Sequence, residues 1–270
     1  MQSGGRVRAS EALPEADCAP DALEDMKTET LRRKLVSAAT TIGGILWLRS
    51  SRRRRRRDAR LHRSFTEVLL HVLSAGDAAT ERHSRRVAEL TGVLAAEAGL
   101  GQKKRRTLRI ASLLHDMGKV DEEFYDIVHG RAALDREERA RIEHHPYRTA
   151  HLLAPLEWAH PGLTRIVASH HERWDGRGYP QGLHGEEIPE AARMIALADA
   201  FDAMTQRRVY RDGGAVGEAI REICTGAGEQ FDPTLVDLLR SPGVRRKWIA
   251  VARKGRVEEM EAEAQAAESG

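Results

Sequence analysis

A histidine and an aspartate stand side by side, His115-Asp116, in the stretch Leu113-Leu114-His115-Asp116-Met117-Gly118-Lys119. The apolar neighbours predict a buried helix, where an imidazole beside a carboxylate is costly unless the two pair or bind a metal. Imidazole nitrogen with carboxylate oxygen and no thiolate suits iron, manganese or zinc in an open catalytic site better than a structural zinc. Asp116 is short and bidentate and can bridge two ions. Two ions about 3.5 to 4 Å apart clamp the attacking and leaving oxygens of an in-line phosphoryl displacement.

Further ligands recur along the chain, which holds twelve histidines. His145 precedes Pro146, which biases it out of helical geometry and predicts a helix end from which the side chain turns toward a cleft. His170 and His171 close an amphipathic helix just before Asp175-Gly176-Arg177-Gly178-Tyr179-Pro180, whose glycines and proline force a tight loop. Adjacent helical residues point about 100° apart, so both imidazoles reach one site only near the helix end. Asp199 lies in Ile195-Ala196-Leu197-Ala198-Asp199-Ala200-Phe201-Asp202, an apolar helix with embedded acids. Asp202 reads as a cap or an internal hydrogen-bond partner. His62, His71, His129, His144, His151, His160 and His184 read as surface or packing residues.

The elements that must position these groups are helical. His83, Val87, Leu90 and Leu94 share one face of a 3.6-residue period, as do Leu163, Ile166, Val167 and His170. No alternating run of β-branched residues predicts a sheet. The expected fold is all-α over residues 61–243, with 244–270 as a polar, Glu-rich helix or tail.

Charge divides the chain. Residues 1–30 hold three basic and seven acidic side chains, while residues 31–63 hold twelve basic and one acidic. The remaining block is mildly acidic, which excludes a reader of duplex nucleic acid, since such a surface carries its positive charge on the docking face. Residues 1–34 read as a disordered tail. The uncharged run Leu35 to Leu48 is followed by Arg49 and the arginines 52–57, making 35–60 a short apolar and basic segment. As a helix its fourteen residues would reach about 21 Å, short of a hydrocarbon core of about 30 Å. A membrane anchor, an interfacial helix and a soluble element all remain open for it. Excess arginine on its C-terminal side would keep the catalytic block on the cytoplasmic face, tethered to the membrane or free. Two cysteines, Cys18 and Cys224, lie far apart without CxxC spacing, which fits a reducing compartment. Met1 and Met26 are both candidate starts.

Taken together, the run His170 to Arg211, HHERWDGRGYPQGLHGEEIPEAARMIALADAFDAMTQRRVYR, resembles the HD-GYP family, a branch of the HD phosphohydrolases. His83-Ser84-Arg85-Arg86-Val87, His115-Asp116 with Gly118-Lys119, His145-Pro146 and Gln230-Phe231-Asp232-Pro233 match in the same order, so that the similarity covers roughly residues 65–240. The resemblance implies an all-α HD core with additional helices that hydrolyses cyclic di-GMP to linear pGpG, and on to GMP in some members, at two or three metals, typically iron or manganese. It assigns His83, His115, Asp116 and Asp199 to one ion, and Asp116, His145, His170 and His171 to a second. The glutamate that accompanies a third ion is replaced by Ala79, which implies two metals here.

By the same resemblance Asp77 contacts guanine and Tyr179 lies near a base. Lys119, Arg208 and Arg211 face phosphate, with Arg211 where some members carry lysine. Val120-Asp121 replaces a frequent Ile-Pro. The expected chemistry is in-line attack on phosphorus by a metal-bridged hydroxide, with Asp116 and Lys119 as the catalytic pair and the arginines as a forked phosphate clamp. Two alternatives stand beside it: hydrolysis of another cyclic dinucleotide or nucleotide, and a weakly catalytic signalling scaffold that binds a protein partner through the GYP surface.

Overall fold

The stripe Val87, Leu90 and Leu94 forms the buried face of helix α1 (Ala78–Glu97). The helix ends where Gly99 adopts φ 69°, a left-handed conformation that glycine reaches without steric cost. There Leu100 N–H donates to Ala95 O at 2.9 Å and Gly99 N–H to Ala96 O at 3.3 Å, closing a Schellman turn. The chain then folds back as α2 (Gln102–Leu114), joined to α1 by the buried hydroxyl pair Thr91–Ser112 at 2.9 Å. The computed structural model describes residues 67–70, 78–119, 135–207 and 215–269. The tail 1–34, the segment 35–60, Asp77, Val120-Asp121, Arg208 and Arg211 lie outside the described residues.

A short 3-10 turn, Met117–Lys119, leaves the end of α2. Helix α3 (Arg136–Leu153) opens on a capping box, in which the Asp135 carboxylate accepts from Glu138 N–H and Glu138 accepts from Asp135 N–H. The short α4 (Leu163–Ala168) is capped by Glu157, whose carboxylate accepts from Gly162 N–H and from the N–H and hydroxyl of Thr164. Helix α5 (Glu190–Arg207) runs through the core with Ile195, Leu197, Ala198 and Phe201 fully buried. Helices α6 (Ala215–Thr225), α7 (Pro233–Arg240) and α8 (Pro242–Ser269) complete the fold. Among the described residues there is no strand, only an isolated bridge between Ala227 and Phe231, so the all-α architecture holds. Nor does any helix among them have the length and apolarity to cross a membrane.

Two local expectations are corrected. Pro146 does not end a helix: α3 continues through it. Proline removes one N–H and leaves the carbonyl of residue i−4, Ile142, without its intrahelical donor, and that carbonyl accepts from His145 Nδ1 at 2.6 Å instead. The second correction concerns α8, which is not a solvated tail over its length. Val244, Trp248 and Ala252, four residues apart, are buried, Trp248 packs at a tilt against Phe201 with ring centroids 4.8 Å apart, and its indole N–H donates to Leu90 O at 3.2 Å. A narrow apolar stripe among dense basic neighbours averages to a polar segment, and so hides in the sequence. The expected boundary at 243 therefore does not separate α8 from the core, and all described elements fall in the compact unit 63–270.

Removing the indole would leave a large cavity and take away the bond between α8 and the Leu90 carbonyl. Trp248→Ala is expected to lower stability by about 3–5 kcal/mol, read as a shift in the denaturant midpoint at constant m-value. A shift below about 1 kcal/mol would contradict a core role for α8.

Candidate metal centre

Four imidazoles are anchored in the same way. The Nδ1–H groups of His115, His145 and His170 donate to the carbonyls three residues earlier, Ser112, Ile142 and Val167, at 2.9, 2.6 and 2.6 Å. His83 Nδ1–H donates to the Asp202 carboxylate at 2.8 Å. In a neutral ring held this way the proton sits on Nδ1 and Nε2 keeps a free lone pair, as a metal ligand requires. Asp202 is thus the internal hydrogen-bond partner read from the sequence, and its task is to orient His83.

The free nitrogens converge. Asp116 carboxylate oxygens lie 3.5 Å from His115 Nε2, 3.2 Å from His145 Nε2 and 3.8 Å from His170 Nε2. The candidate ligand atoms of Asp116, His145, His170 and His171 all lie within 4.8 Å of one another, as do those of His83, His115 and Asp116. Asp116 belongs to both groups, which suits a bridging carboxylate. Asp199 stands beside the second group, its carboxylate paired with His83 Nε2 at 3.2 Å. Lys119 Nζ sits 2.8 Å from an Asp116 oxygen, its side chain half-buried at the edge of the cluster.

Backbone packing sets this convergence. A Cβ on Gly118 would come within 2.4 Å of His145 O and 2.8 Å of Thr149 N. Glycine thus lets the turn after Asp116 lie directly on α3, where its N–H donates to Thr149 Oγ1 at 2.9 Å. His170 and His171 follow α4 immediately, at the helix end the sequence predicts. Beyond them the buried Glu172 carboxylate accepts from Gln181 N–H at 2.7 Å and Leu183 N–H at 3.1 Å, tying down the loop. A Cβ on Gly178 would come within 2.3 Å of Arg173 N and 2.5 Å of Glu172 Cα, so only glycine fits where this loop folds back. Tyr179, joined to Pro180 by a cis bond, stacks on His171 with ring centroids 4.9 Å apart.

The electrostatics fit cations. Burial alone would lower the His83 pKa, but the Asp199 and Asp202 carboxylates raise it to about 10. Burial lowers His115 to about 4 and also lowers His145 and His171, keeping these rings neutral. Burial would raise Asp116 and Asp199, yet Lys119 and His115 hold the first, and His83 the second, well below the usual carboxylate range. His115 Nε2 and His171 Nε2 are buried and make no hydrogen bond. Unsatisfied imidazole nitrogens facing ionised carboxylates are the donor set a divalent transition metal takes.

All seven predicted ligands therefore gather in one place. Sequence reading missed Glu172 and Thr149, which hold the loop and the turn. Their signals were faint: a glutamate directly after a histidine pair, and a threonine four residues after His145.

Residues 67–235 match the family described as HD domain. The chain is 33% identical over 172 residues, covering 63% of it, to the cyclic di-GMP phosphodiesterase response regulator RpfG of Xanthomonas campestris, of which 45% is covered. It is 35% identical over 172 residues, again 63% of the chain, to 3'3'-cGAMP-specific phosphodiesterase 2 of Vibrio cholerae, of which 33% is covered. The chain thus spans less than half the length of these relatives. A crystal structure of a cyclic GMP-AMP specific phosphodiesterase of Vibrio cholerae superposes with a TM-score of 0.50 at 18% identity, over 70% of this chain and 52% of that one, which supports the all-helical fold.

Filling the cluster requires a neutral His83, so one proton must leave that ring while His115, His145 and His171 have none to give. Metal affinity is expected to rise with pH below about 10, about tenfold per pH unit for the single displaced proton. Calorimetric metal titrations in buffers of differing ionisation enthalpy would read close to one proton released. PH-independent affinity across neutrality would contradict the His83 assignment.

Proposed function

We propose, starting from the fact that this chain belongs to the HD domain family, that it is a metal-dependent phosphodiesterase acting on a cyclic dinucleotide, with cyclic di-GMP as the substrate and linear pGpG as the first product. The observation that carries this reading is the shared Asp116 between two imidazole groups, each with its ligand atoms within 4.8 Å. Two divalent cations, iron or manganese, held by His83, His115, Asp116 and Asp199 on one side and Asp116, His145, His170 and His171 on the other, would supply Lewis acidity and an activated water for in-line attack on phosphorus. Ala79 in place of an acidic ligand favours two ions over three.

The chain's own groups do the rest. Lys119 lies next to Asp116 and brings a cation toward a bound phosphate oxygen. Tyr179, stacked on His171, presents an aromatic edge to a base. Burial, reinforced by Asp116, Asp199 and Glu143, pushes its pKa up, so that the phenol keeps its proton and remains a donor. Asp77, Arg208 and Arg211 are proposed to complete the guanine and phosphate contacts. The apolar and arginine-rich segment 35–60 is proposed to place this domain against the inner face of the cytoplasmic membrane.

A second reading, a 3'3'-cGAMP hydrolase, is favoured by the relatives of Vibrio cholerae that carry that specificity in their names. The full chain, loaded anaerobically with iron or manganese and offered each dinucleotide separately, distinguishes the two by product. Cyclic di-GMP is expected to yield pGpG at the higher kcat/KM. His115→Ala is expected to lose metal and turnover together, by more than about 100-fold. Hydrolysis of neither dinucleotide by metal-replete protein would overturn the proposal.

A further inference from the structure

Helix α8 lies beyond the residues matched by the family, yet it reaches the metal centre through a chain of charges. The buried Arg86 donates from Nε to one Asp202 oxygen at 2.7 Å and from Nη2 to the other at 3.0 Å. The second of those oxygens also accepts from His83 Nδ1 at 2.8 Å. The remaining guanidinium nitrogen, Nη1, donates to Glu259 of α8 at 3.1 Å, and the other Glu259 oxygen accepts from Arg82 Nη2 at 2.7 Å. A continuous path therefore runs Glu259, Arg86, Asp202, His83.

An independent observation points to the same contact. A Cβ on Gly255 would lie 2.3 Å from Arg86 Cδ and 3.2 Å from its Nε. Gly255 stands one turn before Glu259, so one face of α8 offers a notch for the arginine stem and a carboxylate for its head. No backbone turn demands glycine there, since α8 continues through it to Ser269. The glycine costs helix propensity of about 1 kcal/mol relative to alanine, and the close approach of Arg86 accounts for it.

We propose that Glu259 and Gly255 are positioning residues for the metal ligand His83, acting through Arg86 and Asp202, and that α8 is thereby the outer wall of the metal centre. This rests on the metal site of the reading above. With Arg86 seated in the notch and shared with Glu259, both Asp202 oxygens are fixed. Asp202 then accepts from His83 Nδ1 in one orientation, and His83 Nε2 is aimed at the cation. Partners that orient a ligand in this way typically change metal affinity 10- to 100-fold when lost. Glu259 acts two residues further out than Asp202, so the lower end applies.

The test uses the full chain and a manganese titration against a competing chelator, with no substrate present. Glu259→Gln removes the charge, and Gly255→Ala displaces Arg86 without altering any charge. Each is expected to weaken manganese binding by roughly tenfold, while Val257→Ala, at an exposed position of the same helix, leaves it unchanged. Thermal unfolding measured alongside identifies the folded fraction of each variant. Wild-type manganese affinity in both folded variants would overturn the proposal, as would equal weakening by Val257→Ala. Because affinity is read without turnover, a wild-type protein that bound manganese but hydrolysed no cyclic dinucleotide would overturn the hydrolase reading and leave this test intact.

Discussion

Two ionised carboxylates and five imidazoles are drawn into the interior of a small helical domain, and the energetic cost of that burial governs much of what surrounds them. An unpaired charge or an unmatched ring nitrogen in such a place costs several kcal/mol. Pairing among the groups offsets part of this: Lys119 faces Asp116, and His83 faces both Asp199 and Asp202. The remainder is visible as His115 Nε2 and His171 Nε2, buried without hydrogen bonds. A cation satisfies these lone pairs and the carboxylates at once, which no internal pairing does.

The fold meets this constraint with one recurring device. Histidine at the end of a helix, or just before a proline within one, finds a carbonyl three residues back for its Nδ1–H, and the ring is then locked with Nε2 outward. The α1 histidine has no such carbonyl and uses Asp202 of α5 instead. Glycine then brings the elements together at two close backbone approaches, Gly118 against α3 and Gly178 against the backbone at Arg173. The ordering of this site is thus a property of helix ends and turns, with the Leu, Ile and Val core holding the helices that carry them.

Much of this was legible in the sequence because metal chemistry demands particular residue types at particular places. The His115-Asp116 pair, the His170-His171 pair before a glycine-rich loop, and Asp199 in an apolar helix all stand out against their neighbours. The helical periods around His83 and His170 correctly implied buried faces. What stayed hidden depended on tertiary context. Pro146 reads as a helix end when only its steric preference is considered, but its missing N–H is what frees the Ile142 carbonyl for His145. The apolar stripe of α8 is too narrow to register beside its lysines and arginines, and a glutamate such as Glu172 shows its role only when the loop that it ties down is in place. Glu259 is a surface residue by composition, and its contact with Arg86 is 173 residues away in the chain.

These side chains are proposed to share a pair of divalent cations bridged by Asp116. Anomalous diffraction from crystals of manganese-loaded protein tests it most directly. Two peaks about 3.5 to 4 Å apart, flanking the Asp116 carboxylate and within coordination distance of the seven ligands, are the predicted result. A density map with no peak in that cavity, or with manganese bound only at surface carboxylates, would contradict it.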